Sequence, residues 1–357
     1  MEKLIDELKN LGILEFDQVV GYYINPIYKQ ELFPRSFSFD DIAISQQKNI
    51  VRSRLDVDIK SEFIRGIWLD VPLIAANMST VVNASFAISL YKLGALGILH
   101  RAQPENSILE EVKLVAKECN LVAASIGIED DQFELAKKII SAGANILTID
   151  IANGYSDKTL EIARKIKQYS KDIKIIIGNT TNIGLLSEAA DVADAIKVGI
   201  AQGYACETKN TAGCTELQFS AVYKFKELSR AYGIPIISDG SIREPADFVK
   251  AIAAGANSVM AGKIFAACPE SAAEIELVDN VQKKVYAGMA SRYVQNKWKG
   301  GLKAGTCPEG GVRYLNIGEN VEKLIERYSG ALKSGISYST SFNIDSFQKN
   351  VKFIRLK

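Results

Sequence analysis

From Val71 onward the chain alternates short apolar runs with longer stretches in which apolar residues recur every three to four positions. The apolar runs fall at 71–78, 95–100, 121–128, 146–153, 173–180, 195–201, 235–241 and 257–264. Their Ile, Val, Leu and Ala content reads as strands buried on both faces. The stretches between them, such as 106–119, 131–142, 157–169 and 245–254, predict helices, as does 216–232. Strands alternating with helices mark βαβ units and a parallel sheet. Eight such runs predict an α/β fold of the closed (β/α)8 TIM-barrel class. The alternative is an open doubly wound sheet, but no glycine fingerprint of the dinucleotide-binding kind follows the first run. Residues 1–35 read as an N-terminal arm, with an amphipathic helix at 2–11 and then a stretch rich in Tyr, Pro and Phe. Residues 36–357 read as one barrel domain with a C-terminal extension.

Composition narrows the functional classes. A length of 357 residues accommodates one barrel with appendages, and 47% apolar residues suffice for its core. A formal net charge of +1 gives no reason to expect nucleic acid or an acidic membrane surface as partner. No apolar run approaches the roughly 20 residues needed to span a bilayer, and the first dozen residues mix acids and lysines with leucines, unlike a signal peptide. The five cysteines (119, 206, 214, 268, 307) form neither a metal-like pairing nor a disulfide framework, so a reduced, cytoplasmic setting is expected. With His100 the only histidine, proton transfer must fall mostly to Glu, Asp, Tyr, Thr, Lys or water.

Sites in such barrels lie at the C-terminal ends of the strands, and polar residues gather there. Asn77, Ser79 and Thr80 end the first run, His100 and Arg101 the second, Asp150, Asn153 and Gly154 the fourth, and Gly178, Asn179 and Thr180 the fifth. Asp239, Gly240 and Ser241 end the seventh, and Gly262 and Lys263 the eighth. Any one of these is an ordinary turn or helix cap; together they make one polar rim. Glycines and a cation at the last two ends suit a phosphorylated ligand, the usual occupant of that position. After the sixth run comes KVGIAQGYACETKNTAGCTELQ, residues 197–218, a loop carrying Cys206, Thr208 and Lys209. A thiol beside a hydroxyl and a cation suggests nucleophilic chemistry; a small buried hydrophobe is the other reading of the same cysteine.

The chain resembles the IMP dehydrogenase/GMP reductase family from about Ser36 to its end. The resemblance is carried by SFDDI at 38–42, ALGILHR at 95–101, DIANGYSD at 150–157, IIGNTT at 176–181, the KVGI, Cys206 and Thr208 pattern at 197–208, ISDGSIREPADFVKAIAAGA at 237–256 and YAGMAS at 286–291. It implies the barrel with an active-site flap at about 286–315 and a helical extension after it, a purine ribonucleotide 5′-monophosphate as ligand, a nicotinamide cofactor (NADPH or NADH) and a homotetramer. In both branches the loop cysteine bonds to purine C2. The dehydrogenase then forms XMP from IMP with NAD⁺, whereas the reductase expels ammonia from GMP and forms IMP with NADPH. Only about 20 residues separate His100 from Leu121, where dehydrogenases often carry a regulatory insert. AANM at 75–78, DIANGYS at 150–156 and the short segment 289–308 also resemble the reductase.

Carried over residue by residue, the resemblance makes Cys206 the nucleophile and Thr208 with Glu309 the proton-handling pair. It places Asp239, Gly240, Gly262 and Lys263 at phosphate and ribose, Tyr286 at the phosphate, and Met289 and Ala290 beside the base. Asn77 and Gly288 complete the substrate-binding set, and Asp150, Asn153 and Gly154 lie on the cofactor side. The carbonyls of Gly199, Ala201 and Cys206 are where the family's dehydrogenases hold a monovalent cation. This chain departs from the family at several points. Ala201-Gln202-Gly203-Tyr204 stands where Gly-Pro-Gly-Ser is usual, which argues against that cation and removes a serine from the phosphate. Ser79 replaces an aspartate, Glu207 a threonine, and Lys263 a serine that a lysine's charge could replace. These changes leave open IMP dehydrogenase chemistry, a modified purine ribotide as substrate, or nucleotide binding without turnover.

Overall fold

The computed structural model describes residues 35–298, 300–301 and 305–356; the arm's expected helix at 2–11 lies outside them. Each apolar run supplies one parallel strand: β1 (Leu73–Ala75), β2 (Leu96–Leu99), β3 (Ala123–Ile126), β4 (Ile146–Asp150), β5 (Lys174–Thr180), β6 (Ala195–Val198), β7 (Ile236–Asp239) and β8 (Ser258–Ala261). Neighbours in sequence are neighbours in space, and β8 pairs with β1 to close the barrel. Most strands are shorter than their runs because the last residues of a run leave the ladder to form the rim.

Both faces of the strands are buried, for different reasons. Ile74, Ile98, Ile146, Ile176, Ile237 and Met260 point inward and fill the barrel. Leu73, Leu99, Leu147, Ile175 and Val259 belong to the outer layer packed under the helices. Each such side chain contributes about 1.5–3 kcal/mol on burial. The hairpin Ser61–Ile64 with Ile67–Leu69 seals the N-terminal end of the barrel. Its Phe63, Ile64 and Leu69 join the inner cluster, and Arg65 N–H donates to Asp194 O at 2.9 Å. Ligands must therefore enter from the opposite, C-terminal end.

The helices Glu105–Glu118, Gln132–Ser141, Asp157–Tyr169, Gln218–Tyr232 and Pro245–Ala253 fall within two residues of the expected positions. Local chemistry sets their ends. Ser156 caps the third by accepting from Thr159 N–H, Pro245 opens the fifth at its first turn, and Gly233 closes the fourth at φ +59°. The C-terminal extension packs outside the helix Pro245–Ala253: the Phe248 and Tyr328 rings meet at a tilt of 51° with centroids 5.9 Å apart, and Gln348 Nε2 donates to the Ile252 and Ala256 carbonyls.

Among the described residues, the flap rests on a small sheet and a helix. Strands Ile275–Val278, Val281–Ala287 and Val312–Asn316 form an antiparallel sheet beside the barrel mouth. The chain leaves the middle strand through 288–291 into the helix Arg292–Trp298, whose Val294 is buried against Ala102 and Ala287. Glu274 ties this helix down by accepting from Tyr293 Oη at 2.6 Å and pairing with Lys297.

Candidate active site

The loop after β6 carries Cys206 to the barrel mouth, where the returning end of the flap holds it. Cys206 bridges Gly310 in a short antiparallel contact, Glu207 N–H donates to Glu309 O at 2.8 Å, and Gly311 N–H donates to Ala205 O at 2.8 Å. The strand leaving the flap sheet joins them through Gly288 N–H to Gly311 O at 3.0 Å. A Cβ at Gly288 would fall 2.8 Å from Ala205 O and 2.9 Å from Gly310 Cα, so only glycine lets the three backbones meet.

This backbone knot sets the side chains. Cys206 Sγ lies 3.2 Å from Thr208 Oγ1, and Thr208 Oγ1 donates to Glu309 Oε2 at 2.8 Å. The result is a thiol–hydroxyl–carboxylate chain along which a proton can move. The small-hydrophobe reading of Cys206 does not hold: it is half-buried and lines a cavity. Cys119 and Cys268 are the packed thiols, and burial pushes Cys268 up to about 12.

Two cavities meet at this sulfur. One, of about 290 Å³, extends over the barrel mouth past Asn77, Asp150, Met289 and Glu309. The other, of about 430 Å³, runs outward past Gly240, Ser241, Gly262 and Lys263. Cys206, Asp239, Tyr286 and Met78 line both. Gly288 and Ala290 line the first. A Cβ at Gly262 would fall 2.3 Å from Tyr286 Oη, so glycine is needed where the tyrosine crosses. Burial first, then the nearby Asp239 and Cys206 charges, raise the Tyr286 phenol and keep it a neutral donor.

Asn153 and Gly154 line neither cavity. Asn153 is exposed, while Gly154 is buried against Gly178, where a Cβ would come within 2.7 Å of the backbone. Ser241 is at the outer cavity, but its N–H and hydroxyl are turned to Gln202. Gly199 and Ala201 line the inner cavity, and the Gly199 carbonyl already accepts from Asn179 Nδ2 at 2.8 Å, which speaks against a cation there.

The departing residues have partners of their own. The Tyr204 ring stacks on Tyr286 at 6.4 Å, and Lys263 Nζ sits 4.6 Å over the Tyr204 ring. Glu207 pairs with Arg313 and accepts from Asn210 at 2.6 Å, and these two donors hold its carboxyl below the usual range. Arg243 is likewise paired, with Asp40 and Asp247. Among the described residues neither Lys209 nor Lys263 has a carboxylate ion pair within 4 Å, and both line the outer cavity.

One feature escaped sequence reasoning. Lys197, in the middle of an apolar run, is buried and aims into the barrel mouth. Its Nζ donates to Asp150 Oδ1 at 2.9 Å, to Asp239 Oδ2 at 3.0 Å and to Asn179 Oδ1. Burial opposes charge on Lys197, but Asp150 and Asp239 overcome it and hold the ammonium above the ordinary lysine range. Asp150 pays the same burial penalty, and Lys197 and Arg101 still hold its carboxyl below the usual value. The only sequence signal was a lone cation between Ile196 and Val198.

The IMP dehydrogenase / GMP reductase domain model matches residues 36–357. GMP reductase of Klebsiella pneumoniae is 31% identical over 327 residues, covering 89% of this chain and 94% of its own. GMP reductase of Enterobacter sp. strain 638 is 30% identical over 331 residues, with 89% and 94% covered. Inosine-5′-monophosphate dehydrogenase of Cryptosporidium parvum is 29% identical over 376 residues, with 90% and 92% covered. With nearly the whole barrel matched, the chain belongs to the IMP dehydrogenase/GMP reductase family of oxidoreductases.

Proposed function

We propose that the protein is a purine nucleotide reductase that converts GMP to IMP and ammonia. The observation that carries this reading is the Cys206–Thr208–Glu309 chain at the junction of the two cavities. A nucleotide with C2 at the sulfur would lay its base along Met289 and Ala290 and its sugar on Asp239. Its phosphate would enter the outer cavity, where Lys263 and Lys209 offer charge in place of the family's serines.

In this reading the Cys206 sulfur bonds to C2 and the C2–amine bond breaks. The thiol proton passes through Thr208 to Glu309 and on to the departing nitrogen, which leaves as ammonia. Asp150 and Arg101, facing the inner cavity beyond the sulfur, offer acceptor and donor groups suited to the ribose and amide of a nicotinamide nucleotide. A reduced nicotinamide, when bound, supplies the hydride that replaces sulfur at C2. Gln295 of the flap helix lines that side of the cavity and donates from Nε2 to Met289 O at 2.8 Å, holding the segment beside the base. NADPH as cofactor, a homotetrameric assembly and a cytoplasmic setting belong to the same reading.

The dehydrogenase reading, IMP with NAD⁺ to XMP, is supported by relatives of that name at nearly the same identity. The short 289–308 segment favours the reductase, since Arg292 and Tyr293 lie too close to the GMAS stretch to form the dehydrogenase's water-activating pair. The test is turnover with GMP plus NADPH against IMP plus NAD⁺, with intact-mass detection of a nucleotide adduct. The expected result is NADPH oxidation with ammonia release, and an adduct that Cys206→Ala abolishes. NADH formation from IMP would replace this reading with the dehydrogenase. No turnover with either pair, and nucleotide binding untouched by Cys206→Ala, would overturn both.

A further inference from the structure

In the nucleotide reading, the substrate sugar and the cofactor ribose fall to carboxylates on different strands. Asp239 ends β7 and Asp150 ends β4. Between them, β5 contributes Asn179 and β6 contributes Lys197, so four consecutive strands each send one polar side chain to the same point. The register makes this geometric: Asp150 pairs with Gly178, and Gly178 with Lys197. A Cβ at Gly178 would fall 2.4 Å from the Lys197 Cβ, so a glycine on β5 leaves the lysine its path inward.

The lysine's three protons are all taken, by Asp150, Asp239 and Asn179. It therefore has none to give a ligand or a leaving group. Asn179 braces the arrangement by donating from Nδ2 to Asp239 Oδ2 at 2.9 Å and to Gly199 O at 2.8 Å. Each carboxylate keeps a side toward the cavity, and both are more exposed (17% and 21%) than the lysine side chain (3%). A charged lysine buried this deeply is costly unless both its partners stay ionised, and the reverse holds for them.

Resting on the nucleotide reading above, we infer that Lys197 is a positioning residue shared by both ligand subsites, fixing and keeping ionised the carboxylates that receive the substrate sugar and the cofactor ribose. Without its ammonium, Asp150 and Asp239 face each other's charge in a buried setting, and one of them takes up a proton. Other charged or titratable groups facing this cluster are Arg101 beside Asp150 and Tyr286 near Asp239, with Cys206 lining the same cavity.

The test is binding of each ligand alone, GMP and NADP⁺, by calorimetry at pH 6 to 9 in wild type, Lys197→Gln and Lys197→Arg. In Lys197→Gln both dissociation constants are expected to rise at least about tenfold together, a factor typical of losing a charge-assisted contact. Both should then recover partly as pH rises, because the captured proton leaves, while wild type stays flat. Lys197→Arg keeps the cation, so it should weaken both ligands without the pH dependence. Weakening of one ligand only, in either variant, overturns the inference, as does a pH-independent loss in Lys197→Gln. Should Lys197→Gln fail to fold, Lys197→Arg still decides: both ligands weakened, or the inference fails. Wild type that binds GMP and NADP⁺, with variants unchanged, sinks this inference alone. Wild type that binds neither sinks the functional reading and this with it.

Discussion

The Thr208 hydroxyl donates at 2.8 Å to the carboxylate of Glu309, a residue 101 positions further along the chain. The contact exists because Glu207 N–H and Glu309 O are hydrogen-bonded next to it, so the flap's return strand delivers the carboxylate. Glu309→Gln keeps the hydrogen-bonding shape but cannot take up the thiol's proton. We expect kcat to fall by about 10²–10⁴, with GMP affinity within a few-fold of wild type. Adduct formation followed by rapid-quench mass analysis checks it; an unaltered adduct rate would remove Glu309 from the proton path.

The barrel was legible because parallel strands buried on both faces leave mostly apolar runs, and eight of them alternate with helical stretches in regular order. The flap was not. Its middle strand, Val281–Ala287, begins exposed and ends buried, so no single period marks it. The site was readable in parts for a similar reason. Cys206 and Thr208 are neighbours in sequence, and their loop shows chemistry locally. Glu309 was placed only through the family resemblance, since nothing near Pro308 announces where its carboxylate will sit. Lys197 was hidden in a strand, where one lysine looks like an interruption of the pattern; only the closing of β4 to β7 into a curved wall brings two carboxylates to it.

Lys263 stands over Tyr204, two departures from the family that touch each other. If the pair replaces the missing serines at the phosphate, Lys263→Met should weaken GMP about 10- to 100-fold, the range of one charge-assisted hydrogen bond. Guanosine, which lacks the phosphate, should bind the variant and wild type equally. Comparing the two ligands by calorimetry at two salt concentrations checks this. Equal losses for GMP and guanosine would move the phosphate elsewhere.

Lys284 makes a purely structural use of a buried charge. Its Nζ donates to the carbonyls of Pro269 at 2.9 Å, Ser271 at 3.3 Å and Ala273 at 3.1 Å. Burial lowers its pKa, yet the three acceptors come from one turn and lock it to the flap sheet. Lys284→Met removes the donor and leaves these carbonyls short of partners, at about 2–4 kcal/mol of unfolding free energy. Urea denaturation should show an earlier midpoint with an unchanged slope; an unchanged midpoint would mean that water satisfies the turn.

His100 gives the fold an acid limit. It directly follows β2, is buried, and has Nδ1 without a partner, with the Trp298 ring 6.2 Å away. Burial foremost, then the positive charge of Lys297, lowers its pKa to about 4 from an ordinary 6.5. Between those values the unfolded chain binds a proton that the folded one refuses, so stability rises with pH across that interval. The contribution is complete above about pH 6.5 and is lost as pH falls toward 4, a change of about 3 kcal/mol from this one side chain. Carboxylates titrate in the same range, so the test is a difference. His100→Phe removes the imidazole while keeping an aromatic ring for Trp298 to meet, and its stability should fall less steeply than wild type from pH 7 to 4. Urea midpoints at half-unit pH steps measure both slopes; parallel curves would show that the folded protein accepts the imidazole's proton as readily as the unfolded chain does.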